Sequence, residues 1–114
     1  MSIKIWHNPR CSKSREALKL LEENGAKVEV FKYLDEEIRK DDIKNLLSML
    51  GIGAREIMRT KEDIYKELDL KNEESEEKLI EAMVENHKLI ERPIIIKDNK
   101  AIIGRPPTLV LDLL

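Results

Sequence analysis

The chain has 114 residues, of which 39% are charged, with both signs interspersed and a formal net charge of −2. That length supports one domain with a proper core but not two. The balanced charge argues against a surface built for nucleic acid or an anionic membrane, and no apolar run approaches the ~20 residues that cross a bilayer.

Ile3 and Ile5, alternating with Lys4, predict a first strand. A helix follows from about Ser12, turns Ala17, Leu18 and Leu21 inward, and stops at Asn24-Gly25. Val28 and Val30 around Glu29 predict a second strand running to about Tyr33. Strand, helix, strand at this spacing is a right-handed parallel crossover. A helical section occupies about residues 40–88. In it Ile43, Leu46, Leu47 and Leu50 recur at helical spacing before Gly51. Thr60-Lys61-Glu62-Asp63 reads as a capping box leading into a helix that buries Ile64 and Leu68. Ser75 opens another helix, with Leu79, Ile80, Met83 and Val84 inward, and the acidic run from Glu73 to Glu77 is expected to be solvated. Pro93-Ile94-Ile95-Ile96 predicts a strand, Asp98-Asn99 a turn, and Ala101-Ile102-Ile103 a return strand. Pro106-Pro107 then starts a closing helix from Leu109 to Leu114. The order β-α-β, helices, β-β-α is that of a thioredoxin-like α/β domain with a four-stranded mixed sheet, spanning residues 1–114.

The stretch His7-Asn8-Pro9-Arg10-Cys11-Ser12-Lys13-Ser14-Arg15 holds the only cysteine, at the edge of the crossover where open α/β sheets bind ligands. A thiol at a helix N-terminus meets unpaired N–H groups and the positive end of the helix dipole, which favour the thiolate. The same N–H groups can cradle an oxyanion. Arg10, Lys13 and Arg15 add positive charge, which suits an exposed turn better than a core. The competing reading is a buried cysteine acting as a small hydrophobe, and a His7 that is merely packed rather than lending the thiol electrostatic help. One cysteine allows no internal disulfide and suits a reducing cytoplasm. The N-terminus reads as a strand, so no signal peptide is expected. Two histidines and one cysteine, scattered, form no metal site.

Three more arginines stand at punctuation points: Arg59 before a helix start, Arg92 before Pro93, and Arg105 after Gly104. In a thioredoxin-like domain the turn entering the third strand lies against the first helix's N-terminus, and its X-Pro bond is typically cis. Arg92-Pro93 fits that role, which would aim Arg92 at Cys11. Arg105, closing the hairpin, can reach the same edge. The planar guanidinium fork suits tetrahedral oxyanions. Arg39 and Arg55 have no such placement and are assigned to the surface.

Together with Arg55-Glu56-Ile57-Met58-Arg59, Glu91-Arg92-Pro93-Ile94 and Gly104-Arg105-Pro106-Pro107, the Cys11 stretch resembles the glutaredoxin-coupled arsenate reductases, in order over nearly the whole chain. The resemblance is closest to a short, single-cysteine branch. It implies a nucleophile at Cys11, an arginine trio at Arg59, Arg92 and Arg105 around the oxyanion, and a His7 that helps lower the thiol pKa. It further implies that Ser12, Ser14 and Arg15 contribute to substrate binding. Glutathione would be the cosubstrate, with no bound cofactor, and glutaredoxin the partner of a cytoplasmic monomer. The best-studied members carry glycine after the cysteine, where this chain has Ser12. Two other readings share the fold: an Spx-type transcription regulator that docks on RNA polymerase, and a glutathione-dependent thiol-disulfide reductase. Spx-type regulators usually carry Cys-x-x-Cys, whose second position is Ser14 here.

Overall fold

The computed structural model describes residues 2–114. The chain divides into two compact units, one formed by Met1–Glu36 with Arg92–Leu114 and the other by Glu37–Glu91.

The first unit holds the sheet. Strand β1 (Ser2–Trp6) leads into helix α1 (Ser12–Glu23) and strand β2 (Lys27–Phe31); strands β3 (Ile94–Lys97) and β4 (Lys100–Ile103) form a hairpin near the C-terminus. The order across the sheet is β2-β1-β3-β4. β1 runs parallel to β2 and antiparallel to β3, and β3 is antiparallel to β4, so the sheet is mixed as expected. Register explains which residues form the core. Ile5 lies opposite Val30 and Ile95, Ile95 lies opposite Ile102, and Ile3 lies opposite Val28. Alternation then turns Ile3, Ile5 and Ile95 to one face, where they are buried with Ala17 and Leu21 of α1 and Val110. Fully burying each such aliphatic side chain contributes about 1.5–3 kcal/mol.

Several predicted boundaries shift. β2 ends at Phe31, so Tyr33 falls just outside it, almost fully buried. The closing segment is a 3-10 helix over Pro107–Leu113 rather than an α-helix, with Val110 inward and Leu109, Leu111 and Leu114 exposed. Gly104 sits where nothing larger fits, because a Cβ there would lie 2.9 Å from both Ile95 Cδ1 and Pro93 Cγ.

The second unit is helical. Helix α2 (Lys40–Leu50) starts with the Arg39 N–H donating to Asp42 Oδ2 (2.8 Å) and stops at Gly51, whose φ is +71°. Between α2 and the last long helix, α3 is only Asp63–Glu67. Helix α4 (Glu76–Glu85) is capped by Ser75 Oγ, which accepts from the Lys78 N–H at 3.3 Å. Lys40 joins α2 to α4, with Nζ 2.8 Å from Glu81 and 3.3 Å from Glu77. The capping box expected at Thr60 does not form: Glu62 is the N-cap of α3 and no side chain caps the helix. So short a helix cannot bury a second turn, and Leu68 is 48% exposed rather than inward. The acidic run is solvated as expected, with Glu74, Glu76 and Glu77 exposed; Glu76 Oε1 also accepts the Ala54 N–H (2.9 Å) at the start of a 3-10 turn over Ala54–Ile57.

Arg55 also departs from its surface assignment. Its Nη1 donates to Tyr65 Oη (2.6 Å) and the Leu70 carbonyl (2.8 Å), and its Nη2 to the Glu73 carbonyl. Five N–H donors on a rigid fork let one side chain satisfy carbonyls from several turns. Its apolar neighbour in the chain, Ala54, is fully buried beside it.

Candidate active site

The edge of the sheet just past β1 gathers residues from distant parts of the first unit. Trp6 lies opposite Ile94, and Ile94 opposite Ile103. One step beyond, the Gly104 N–H donates to the Pro93 carbonyl at 2.8 Å, and the His7 N–H to the Phe31 carbonyl at 2.9 Å. His7, Pro93 and Gly104 therefore close the sheet together, which brings Arg92 and Arg105 to the edge from which the Cys11 loop departs. The Arg92–Pro93 and Arg105–Pro106 peptide bonds are both cis.

The loop is held by its own polar groups. The Cys11 N–H donates to the Asn8 carbonyl (3.0 Å) and the Arg10 N–H to Asn8 Oδ1 (3.0 Å), a turn of the kind asparagine favours. Arg15, exposed on α1, reaches back with Nη1 to the Pro9 carbonyl at 2.8 Å. Beneath the loop lies Ser14, fully buried. Its Oγ accepts the Asn8 N–H (3.1 Å) and shares a 2.7 Å hydrogen bond with His7 Nδ1.

Cys11 is the N-cap of α1. It is 8% exposed, more enclosed than the exposed turn its charged neighbours suggest. Burial pushes the thiol up, but the Ser14 amide, the Arg92 side chain and its charge, and the Lys13 amide act against it, and the net direction is down. Helix-start amides and one guanidinium thus favour the thiolate, as the position predicts. Lys13 and Ser14 enter through their backbones, a role their side chains do not announce.

His7 differs from the expected electrostatic helper. It is buried, and burial, then the charges of Lys32 and Arg15, lower its pKa below the usual 6.5. The lowered pKa favours the neutral ring, whose Nδ1 is the atom bonded to Ser14 Oγ. Trp6, the sole tryptophan, precedes it and packs on Phe31 (ring centroids 5.1 Å apart) and Tyr33 (6.2 Å, stacked). Ser12 is exposed at the first turn of α1.

Arg59 belongs to the helical unit. There its Nη1 lies 3.2 Å from Glu62 Oε1 and its Nε 4.0 Å from Glu91 Oε1. The sequence singles out neither glutamate, although Glu91 adjoins Arg92 within one of the quoted motifs. Among the described residues no group of three or more His, Cys, Asp or Glu is placed to hold a metal ion, and no helix is long and apolar enough to cross a membrane.

The ArsC family model matches residues 6–113. Among curated proteins, the uncharacterized protein YfgD of Escherichia coli K12 is 56% identical over 113 residues, covering 97% of this chain and 95% of its own. The arsenate reductase of Haemophilus influenzae is 46% identical, and the match covers 100% of both chains. Among solved structures, an arsenate reductase from Vibrio cholerae superposes with a TM-score of 0.96 at 47% identity, covering 100% of this chain and 98% of that one.

Proposed function

This chain belongs to the ArsC family, and from that membership we propose that it reduces arsenate to arsenite through the Cys11 thiolate, with glutathione and glutaredoxin supplying the electrons. The observation that carries the reading is the state of the sulfur: it belongs to the N-cap of α1, meets the Arg92 guanidinium, and is drawn toward the thiolate despite burial. A thiolate beside fixed positive charge is what attack on an oxyanion's central atom requires, because it supplies both the nucleophile and the charge compensation.

In the proposed sequence the Cys11 thiolate bonds to arsenic and one arsenate oxygen leaves as water. Arg92 and Arg105 neutralise the remaining oxygens. Glutathione displaces a second oxygen, again as water. A glutaredoxin thiolate then attacks the glutathione sulfur, forming a mixed disulfide and leaving the electron pair on arsenic, now trivalent. Water releases arsenite and returns the Cys11 thiolate. With one cysteine in the chain, the thiol that carries off the oxidising equivalents must come from outside.

The test is a coupled assay of arsenate, glutathione and glutaredoxin with wild type and Cys11→Ser. Turnover in the wild type and none in the variant is the expected result. Wild-type turnover in Cys11→Ser, or deglutathionylation of a model disulfide without arsenate turnover, overturns it.

A further inference from the structure

We propose that Arg15 is a positioning residue for the nucleophile: its side chain holds the Pro9–Arg10 peptide, and through that peptide it sets how Cys11 enters α1. The proposal concerns the sulfur itself and holds whatever substrate that sulfur meets.

Asn8, Pro9, Arg10 and Cys11 form a β-turn, closed by the Cys11 N–H donating to the Asn8 carbonyl at 3.0 Å. Its central peptide joins Pro9 to Arg10, and the rotation of that one plane is what separates type I from type II turns. Here the plane is held at both ends. Its N–H donates to Asn8 Oδ1 at 3.0 Å, and its carbonyl accepts from Arg15 Nη1 at 2.8 Å. Ser14 steadies the turn from below, where its Oγ accepts the Asn8 N–H at 3.1 Å. Arg15 holds it from the exposed side. A cation so near a helix start works against the dipole, so Arg15 calls for a reason of its own. An oxyanion ligand would be one reason and a hold on the turn another; the contact observed is the second.

The last residue of the turn is the one proposed to react. Cys11 is the N-cap of α1, with φ −95° and ψ 121°. A side chain at that position addresses the amides two and three residues on, which here belong to Lys13 and Ser14. Those amides act with Arg92 to draw the sulfur toward the thiolate. Their reach depends on the backbone angles at Cys11, which are set where the turn passes into the helix. Arg15 therefore acts on the sulfur through the turn rather than as a bare charge.

The test follows the ultraviolet absorbance of the Cys11 thiolate against pH, without substrate, in wild type, Arg15→Met, Asn8→Ala and the double variant. Arg15→Met keeps an apolar stem and removes the donors. Asn8→Ala frees the other end of the same peptide and leaves the arginine's charge in place. Arg15 is exposed and Asn8 partly so, and both variants should fold. Each single substitution should raise the titration midpoint by about 0.4–1 pH unit, the shift that one hydrogen bond of ordinary net worth carries. The double variant should go little further, because a plane released at one end is already free to turn. The shift in Arg15→Met should also survive ~1 M salt, where the screening length falls to about 3 Å. An unmoved midpoint in either single variant refutes the proposal. So do shifts that simply add, or an Arg15→Met shift that salt abolishes, which would make the arginine a charge acting through space.

Discussion

Replacing Ser14 with alanine removes one oxygen from beneath the nucleophile loop, and the loss can be sized. The hydroxyl is fully buried and makes two hydrogen bonds, one with His7 Nδ1 and one from the Asn8 N–H. A buried partner left unsatisfied costs about 1–3 kcal/mol. His7 is buried and Asn8 only partly so, and water can partly replace the second bond. Against this, alanine is the better helix former by about 0.5 kcal/mol. The net expectation is a destabilisation of about 1–3 kcal/mol, a large share of the ~5–15 kcal/mol that holds a domain of this size. Urea unfolding followed by the fluorescence of Trp6, which precedes His7, measures it directly. Ser12→Ala is the control, being exposed, and should shift stability by no more than about 0.5 kcal/mol. The Ser14 amide that acts on the sulfur belongs to the backbone and survives the substitution. The pH at which iodoacetamide begins to alkylate Cys11 should therefore move less than stability does. If Ser14→Ala unfolds at the same urea concentration as Ser12→Ala, the account of the loop is wrong.

Two further expectations follow from the same edge of the sheet. His7 has a folded-state pKa below its unfolded value of 6.5, so the unfolded chain takes up the proton first. The stability due to its neutral form is complete above about pH 6.5 and is lost as pH falls through the folded pKa. The stability difference between wild type and His7→Gln should therefore shrink between pH 7.5 and pH 5 in urea titrations; a constant difference refutes the neutral-histidine assignment. Gly104→Ala places a methyl 2.9 Å from Ile95 Cδ1 and Pro93 Cγ. The isoleucine tip can rotate but the proline ring cannot, so calorimetry should show a loss of about 1–3 kcal/mol; an unchanged melting temperature shows that the hairpin relaxes freely.

Much of the architecture is legible in the chain because the signals are local. Alternation around Lys4 and Glu29 marks the strands, and the stops at Gly25 and Gly51, both at positive φ, end α1 and α2 where expected. The short middle helix departs from expectation because Thr60 to Asp63 has the capping pattern but not the capping geometry, and its next turn has Leu68 in solvent. The closing segment departs because two prolines and helical spacing fit a 3-10 helix as well as an α-helix. Arg55 is invisible for a different reason. Its partners are two backbone carbonyls and a tyrosine hydroxyl, which no residue pattern reports. At the site, Cys11 and Arg92 can be matched from the chain. The state of His7 cannot, because a histidine's charge depends on burial and on Lys32 and Arg15 around it.

The amino acid that caps α1 is also the one proposed to react, and this bears on how a cycle would end. Amides and a guanidinium that lower the sulfur's proton affinity lower its affinity for any electrophile as well, and a weakly basic thiolate departs readily. Any adduct on Cys11 quenches the negative charge those donors favour, so the helix start is more at ease once the sulfur is released. The arrangement that primes the first bond thereby also loosens it, and the protein is built to let go.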